Sequence, residues 1–284
     1  MEPLANLDGE RMPLSEARVS ALDRGFLFGD AVYEVLRVYD GRPWLMEEHF
    51  ARLARSLEAI RIHGIDLARM RQRMLETIAA GPFGEAIVYI QITRGSAPRS
   101  HGFPPGVKPL EFFYVQEYHD PYLQARQIGA AVITVPDLRW GRCDIKSTNL
   151  LANILAAQAA KEAGCVEALL CSDDGIVSEG THTSLFGVLD GKLLTAPNSP
   201  HILPGITRGL ILRLAQRAKI DLQEHELRRP DLKRVSELFL TGTTSEVLPV
   251  VRVDGQPITD GKPGPITQRL QEAYREAVRE ACRA

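Results

Sequence analysis

Lys146 is the residue of this sequence best placed for covalent chemistry. It follows an apolar, β-branched run at 130–135 that predicts a buried strand. It precedes an Ala- and Leu-rich segment at 151–163 that predicts a helix, which Ser147, Thr148 or Asn149 could cap. A lysine at such a junction is partly desolvated, which would lower its pKa and leave more of its amine uncharged and nucleophilic. The same position also suits a lysine that extends from a loop into solvent. The other motifs of the chain decide between these interpretations.

Two further segments have the composition of an anion-binding site. Residues 205–207 open a predicted helix, whose first N–H groups and positive dipole end favour negative charge. The turn at 241–244 offers hydroxyls and N–H groups in a tight bend. Arg52, on a predicted helix at about 46–60, could add a bidentate contact to a phosphate. Each feature alone also suits an ordinary helix cap, turn or solvated arginine, and neither segment matches a nucleotide-binding fingerprint.

A carboxylate and a set of donors complete the candidate chemistry. Glu179 ends a predicted strand, where it could hold a heterocyclic nitrogen protonated and so keep a pyridinium ring electron-poor. Arg99 and His101 lie on a long Gly- and Pro-rich loop and offer donors for a substrate carboxylate. Tyr33, on a predicted strand at 31–39, could donate to the same carboxylate or simply pack. Together with the amine and the anion cradle, these groups describe a site for pyridoxal phosphate and an amino acid.

The composition argues against several other classes of protein. The 284 residues are 44% hydrophobic and 25% charged, with a formal net charge of −2, which gives no electrostatic reason to expect nucleic acid as a partner. No apolar run approaches the length of a membrane span, and no leader pattern is present, so a cytoplasmic location is expected. The four cysteines lack the spacing of a metal site or a disulfide framework, and no metal site is predicted.

The order of the predicted elements indicates an α+β protein of two domains, with mixed sheets and flanking helices. Hairpin-like strands and amphipathic helices are intermingled rather than alternating as in a parallel βαβ sheet. Periodicity is lost near Asp120-Pro121, so we place a linker at 120–129. The predicted domains are therefore residues 1–119, which carry the loop of Arg99 and His101, and residues 130–284, which carry Lys146.

The sequence resembles the fold-type IV pyridoxal-phosphate aminotransferases from Asp23 to about Val250, and within that family the D-amino-acid transaminases of bacteria. The resemblance rests on six segments of this chain: Asp23-Arg24-Gly25 with Phe28-Gly29-Asp30 and Tyr33-Glu34, Thr93-Arg94-Gly95 with Pro98-Arg99-Ser100-His101, Arg142-Cys143-Asp144-Ile145-Lys146-Ser147, Ser178-Glu179-Gly180, Gly205-Ile206-Thr207-Arg208 and Thr243-Thr244-Ser245-Glu246. It covers most of the chain.

The resemblance implies a role for each candidate residue. Lys146 would be the Schiff-base lysine and the proton carrier, and Glu179 would pair with the pyridine nitrogen. Leu203 would pack on the ring, and the phosphate would be held by Arg52, Ile206, Thr207, Thr243 and Thr244. The substrate carboxylate would be bound by Tyr33, Arg99 and His101, with Arg99 and His101 supplied by the other subunit of a homodimer.

The implied reaction is a ping-pong transamination between D-amino acids and 2-oxo acids, with D-alanine and 2-oxoglutarate giving pyruvate and D-glutamate as its type. Branched-chain L-aminotransferases, (R)-amine transaminases and aminodeoxychorismate-type lyases resemble this chain in the lysine and phosphate segments. They are not expected to carry the Arg-x-His pair of residues 99 and 101. A cofactor-binding protein without turnover is a further alternative, and it would not need that pair.

Three positions depart from the family pattern. Ser184 stands where an asparagine is usual after the Glu-Gly loop, which leaves the anchoring of that loop open. His182, in the same loop, is larger than the expected small polar residue and would narrow a substrate side-chain pocket. Gly242 replaces a hydroxyl residue and would remove one donor from the phosphate turn.

Overall fold

The structure is a computed structural model, and it describes residues 2–283. The chain divides into two compact units, Met1–His119 with Ile145–Asn149, and Asp120–Asp144 with Leu150–Ala284. Each unit combines a sheet with helices, in agreement with the predicted α+β class. The division differs from the expected domains at two places. The segment 120–129 groups with the second unit rather than acting as a linker, and Lys146 groups with the first unit.

Within the described residues, the first unit is a six-stranded sheet with three α-helices. Its strands are β1 (Leu4–Leu7), β2 (Glu10–Pro13), β3 (Ala31–Tyr39), β4 (Arg42–Pro43), β5 (Ala86–Thr93) and β6 (Leu110–Glu117), in the spatial order β2-β1-β6-β5-β3-β4. Its helices are α1 (Arg24–Phe28), α2 (Met46–Ala59) and α3 (Leu67–Ala79). Strand β3 begins and ends at the predicted residues, because β-branched and aromatic residues recur along this run.

The core of the first unit lies between one face of this sheet and the apolar faces of α2 and α3. Alternate residues of β3, such as Val32 and Leu36, point to that face, as the two-residue period of a strand requires. Leu53 of α2 and Met70 of α3 cover them. Glu34 has the same parity as Val32 and Leu36, so a carboxylate points into the region covered by α2. Because side chains alternate along β3, the carboxylate of Glu34 is buried in the first unit.

The second unit, over the same described range, is a ten-stranded mixed sheet with four α-helices. Its strands are β7 (Ala130–Pro136), β8 (Glu167–Cys171), β9 (Ile176–Gly180), β10 (Ser184–Leu189), β11 (Lys192–Thr195), β12 (Leu222–Glu224), β13 (Leu227–Arg228), β14 (Glu237–Gly242), β15 (Glu246–Val253) and β16 (Gln256–Pro257). Its helices are α4 (Leu123–Ile128), α5 (Leu151–Glu162), α6 (Ile206–Arg217) and α7 (Pro265–Arg283). The neighbours β7 and β8 are parallel, whereas β8 and β9 are antiparallel.

Helix α5 begins close to the predicted position but without the predicted cap. Its N-cap residue is Leu150, and no side chain caps it. The three polar residues expected to do so are engaged elsewhere: Ser147 pairs with Val32 in an isolated bridge, and Thr148 Oγ1 and Asn149 Nδ2 donate to the carbonyl of Gly29. The cap prediction was wrong because these residues bind the first unit.

Across residues 2–283, every helix falls short of the length or the apolar character that a membrane crossing would require.

Candidate active site

Lys146 is held in the first unit by backbone hydrogen bonds. Its carbonyl accepts from the N–H of Tyr33 at 2.9 Å, and its own N–H donates to Ser56 Oγ of α2 at 3.2 Å. Its Nζ lies 4.2 Å from the centre of the Tyr33 ring. The residue is partly buried, while its neighbours Ile145 and Ser147 are buried. The structure therefore brings two predicted site residues, Lys146 and Tyr33, into direct contact, with the amine over an electron-rich ring.

Arg52 lies in a buried network with Glu34 and His49. Its Nε and Nη2 donate to the two carboxylate oxygens of Glu34 at 2.7 and 2.8 Å, and His49 Nδ1 lies 2.8 Å from Glu34 Oε2. Burial raises the pKa of Glu34, but the charge of Arg52 and hydrogen bonds from Arg52 and His49 outweigh it and hold that pKa below its usual range. The predicted phosphate ligand is therefore a guanidinium fixed in orientation by a buried carboxylate.

Arg99 and His101 flank the ring of Phe28, the last residue of α1. The Arg99 guanidinium lies 5.1 Å from the ring centre, and the His101 ring lies 5.6 Å from it. Arg24 donates to the carbonyl of Ser100 at 2.5 Å, which fixes the loop between the two candidates. Both side chains are exposed within one chain. Among residues 2–283, no hydrogen bond, ion pair or ring contact joins either of them to Tyr33.

Glu179 lies buried near the end of β9 in the second unit. Its Oε1 accepts from Arg139 Nη1 at 2.5 Å, and both of its oxygens accept from the N–H of Leu203, at 3.2 and 3.3 Å. Arg139 is also bidentate to Asp137, through Nε at 2.9 Å and Nη2 at 2.8 Å. Burial raises the pKa of Glu179 to about 7, and the neighbouring Arg139 offsets this only in part. A cationic ring nitrogen is the partner that would stabilise the ionised form.

We expect the contribution of Glu179 to the stability of the ligand-free protein to be lost as the pH rises from about 4.5 to about 7. The folded protein keeps the Glu179 proton in this window, whereas the unfolded chain releases it, so folding is favoured at the acid end and the advantage is lost as the pH rises. The pKa difference corresponds to at most about 3 kcal/mol. Urea unfolding of the wild type and of Glu179→Gln at pH ~5 and ~8 measures it.

The matched control is Glu162→Gln, at an exposed carboxylate on α5. This variant is expected to keep the pH dependence of the wild type, whereas Glu179→Gln loses the contribution. An unchanged pH dependence in Glu179→Gln would contradict the assignment.

The two predicted anion-binding segments meet in one corner of the second unit. Ser184 of β10 pairs with Thr241 of β14, so the end of β14 lies beside the start of β10. The first residues of α6 approach the same place, because a Cβ on Gly205 would lie 2.5 Å from Ser184 Oγ. Ile206 and Thr207 follow directly as the first residues of α6, and Thr243 and Thr244 lie in the turn between β14 and β15.

This corner fits an anion. The N-terminus of α6 has no side-chain cap. Its first backbone N–H groups therefore point out of the helix end, where they could donate to a bound anion. The hydroxyls of Thr241 and Ser245 are buried without a hydrogen-bond partner in the described chain, and orphaned buried polar atoms are rare unless a ligand serves them. A Cβ on Gly242 would lie 2.7 Å from Ser245 Oγ, so a larger residue at this position would require the Ser245 side chain to move.

The loop after Glu179 is anchored by Glu167 of β8. This buried carboxylate accepts from the hydroxyls of Thr181 at 2.5 Å and Thr183 at 3.1 Å, and His182 Nδ1 lies 2.9 Å from its Oε2. Burial raises the pKa of Glu167, but His182 and the hydroxyl donor outweigh it and hold the pKa at about 2. The sequence left open how this loop is anchored when Ser184 replaces the usual asparagine. In the structure, Glu167 on the neighbouring strand β8 provides the anchor.

Comparison with known proteins places these units in a family. A sequence profile of the amino-transferase class IV family matches residues 31–253. The chain is 39% identical to the D-alanine aminotransferase of Staphylococcus aureus strain N315 over 277 residues, or 96% of each chain. It is 38% identical to the D-alanine aminotransferase of Bacillus licheniformis over 275 residues, or 95% of each chain.

Solved structures agree on the fold. The branched-chain amino acid aminotransferase of Escherichia coli has a TM-score of 0.90 at 26% identity, covering 97% of this chain and 94% of that one. A T.th. branched-chain amino acid aminotransferase, solved with pyridoxamine 5′-phosphate, has a TM-score of 0.90 at 28% identity, covering 98% and 94%. This chain belongs to the class IV aminotransferases. It is an enzyme that transfers an amino group, on the fold-type IV scaffold that its sequence predicts.

Sequence reasoning missed several residues that orient the candidate site. Glu34 and His49 hold Arg52, Arg139 holds Glu179, and Glu167 holds the loop of His182. One signal was present in the sequence: His49 and Arg52 are three positions apart on one helix face, and Glu34 lies on the core parity of β3. The partners of Arg139 and Glu167 depend on strand pairings that no local pattern specifies.

Proposed function

We propose that this chain transfers the amino group between D-amino acids and 2-oxo acids, with pyridoxal 5′-phosphate as its cofactor. The observation that carries the proposal is the identity of 38–39% with D-alanine aminotransferases over 95% or more of both chains. The placement of Lys146 against Tyr33 supports a covalent role for the amine. The exposed pair of Arg99 and His101 supports recognition of a carboxylate.

The residues of the second unit and Arg52 would hold the cofactor. We assign the phosphate to Arg52, Ile206, Thr207, Thr243 and Thr244, which offer one cation, a helix start and turn hydroxyls. Glu179 would pair with the ring nitrogen, because a protonated nitrogen beside it would offset the unfavourable free energy of ionising this buried carboxylate. Leu203 would pack on the ring while its N–H orients Glu179.

Lys146 would bind the cofactor covalently and then act as the base. Pyridoxal phosphate, when bound, supplies an electron sink for negative charge at the substrate Cα. Nζ of Lys146 would take the proton from the substrate Cα and deliver it to C4′ of the cofactor, and it would carry a proton in the opposite direction in the second half-reaction. Tyr33, Arg99 and His101 would bind the substrate carboxylate and so decide which face of Cα meets the amine. His182 would border the substrate side chain.

A homodimer would complete this arrangement. Helix α5 exposes an apolar strip of Leu151, Ile154 and Leu155, residues that are 71, 59 and 62% accessible within one chain. Such a strip on a single chain is typical of a surface covered by a partner. We propose that a second copy covers it and that Arg99 and His101 act in the partner's site. The cytoplasmic location expected from the sequence stays a prediction.

A branched-chain L-amino-acid aminotransferase is the second candidate. It is favoured by the TM-scores of 0.90 with two branched-chain enzymes. It is less favoured by identity, which is 26–28% for those enzymes and 38–39% for the D-alanine enzymes.

A single-turnover experiment separates the two candidates. The purified protein, saturated with pyridoxal phosphate, is mixed with D-alanine, L-alanine or L-leucine without any acceptor, and the released 2-oxo acid is counted per subunit. We expect about one equivalent of pyruvate from D-alanine and little product from either L-amino acid, as a ping-pong cycle stops after its first half. Product from L-leucine and none from D-alanine would replace the proposal with the branched-chain alternative.

A further inference from the structure

Glu246 has an unusual backbone conformation for its residue type. It follows the turn of residues 243–245 and pairs with Gly242 across β14 and β15. Its φ is +57°, in the left-handed region that glycine occupies readily and that other residues adopt only at a cost in free energy. A glycine at position 246 would close the same turn without that cost. The contacts of the Glu246 side chain therefore matter for how this turn is held.

The carboxylate of Glu246 pairs with a buried arginine of α4. Arg126 is 7% accessible, and its Nε lies 3.6 Å from Glu246 Oε2. Its Nη1 donates to the carbonyl of Ser245 at 3.4 Å, and its Nη2 donates to the carboxylate of Asp120. One guanidinium thus contacts both the last residue of the turn and the residue after it, and Asp120 gives it a second counter-charge.

Helix α7 ties the same parts of the chain together. Gln271 Nε2 donates to the carbonyl of Arg126 at 2.9 Å and to the carbonyl of Val247 at 3.1 Å. Gln271 and Arg126 are both buried. The turn therefore cannot shift relative to α4 without breaking buried hydrogen bonds, which is unfavourable because their donors and acceptors would be left without partners.

We propose that Arg126 and Glu246 are positioning residues for the cofactor phosphate. They hold the turn in the conformation in which Thr243 and Thr244 direct hydroxyls and N–H groups to the anion, and neither of the two side chains needs to touch it. The inference rests on the proposed function, which assigns the phosphate to this turn. A turn that relaxes when the ion pair is lost would form longer and weaker hydrogen bonds to the phosphate.

The test compares pyridoxal phosphate with pyridoxal, which lacks the phosphate group. Both ligands are titrated into the cofactor-free protein, with tryptophan fluorescence as the readout, for the wild type, Glu246→Gly and Glu246→Gln. In Glu246→Gly we expect Kd for pyridoxal phosphate to rise roughly 10-fold and Kd for pyridoxal to stay unchanged, as for a weakened hydrogen bond to a charged group. Glu246→Gln, which keeps the length of the side chain but not its charge, should give a smaller rise in the same direction.

The stability of Glu246→Gly should not follow its affinity. The substitution removes a left-handed backbone conformation from a non-glycine residue, and Arg126 keeps Asp120 as a counter-charge. The urea midpoint of the cofactor-free variant should therefore stay close to that of the wild type. If the two residues only stabilised the fold, the urea midpoint and the affinities for both ligands would fall together, and the proposal would be overturned.

Asp190→Gly is the matched control. Asp190 also has a left-handed φ, +51°, and its carboxylate also pairs with an arginine, Arg234, at 3.2 Å. It lies in the turn after β10, at the opposite end of that strand from Ser184. This variant should keep the wild-type ratio of the two Kd values. The inference fails if the ratio changes equally in this control, or if Glu246→Gly leaves the ratio unchanged.

The wild type itself separates this inference from the proposed function. If it binds pyridoxal phosphate more tightly than pyridoxal and Glu246→Gly does so to the same extent, only the positioning role is wrong. If the wild type binds both ligands equally, the assignment of the phosphate to this corner is overturned, and the positioning role with it.

Discussion

Replacing Lys146 by alanine is expected to lower kcat for D-alanine by about 10⁴-fold, because the variant loses both the covalent amine and the base. The fold should survive, since the contacts of Lys146 with Tyr33 and Ser56 that fix the segment are made by its backbone. Pyruvate release under saturating cofactor measures the loss. A small primary amine added to the assay should restore part of the rate.

The control for this substitution is Lys161→Ala, on an exposed position of α5. It should retain the wild-type rate, because Lys161 has no assigned role in the site. Full turnover by Lys146→Ala without added amine would show that another group carries the proton, and the assignment of the whole lysine segment would then fail.

The second large effect is expected on stability. Replacing Glu34 by glutamine should lower the free energy of unfolding of the ligand-free protein by about 3–5 kcal/mol, because the buried guanidinium of Arg52 would lose its counter-charge. Urea unfolding near neutral pH measures the change. Added phosphate or pyridoxal phosphate should recover part of it, since either anion could stabilise Arg52.

Glu85→Gln is a matched control for this prediction. Glu85 also pairs with an arginine of β3, Arg37, at 2.5 Å, but its side chain is 52% accessible. Solvent screens such a pair, and its loss should cost below about 1 kcal/mol. If both variants lost the same stability, burial of the Glu34 carboxylate would not be the source of its effect.

Local sequence patterns were sufficient to predict the strands and helices on which the candidate site residues lie. The β-branched run of β3, the strand end at Glu179 and the helix start at Gly205 were each predicted within a few residues of their observed positions. These signals depend on neighbours along the chain, which is why one sequence reveals them. The family resemblance then assigned roles that periodicity alone left open.

The groups that orient the site could not be predicted in the same way. Arg52 was expected as a phosphate ligand, but its pairing with Glu34 depends on how α2 crosses β3. Arg139 lies seven residues before Lys146, and its bond to Glu179 depends on packing within the second unit. The missing cap of α5 has the same origin, because Ser147 serves β3 instead. Tertiary contacts decided each of these cases.

The pairing of residues 145–149 with the start of β3 has a consequence for biosynthesis. Within the described chain, the backbone of Tyr33 on that side of the strand is satisfied by Lys146, which is made 113 residues later. A nascent polypeptide that has emerged only as far as His119 therefore presents an unpaired strand edge, a surface prone to association with other chains. Lys146 must leave the ribosome before this edge can close, so the first unit is completed in the same event that positions the amine proposed to be catalytic.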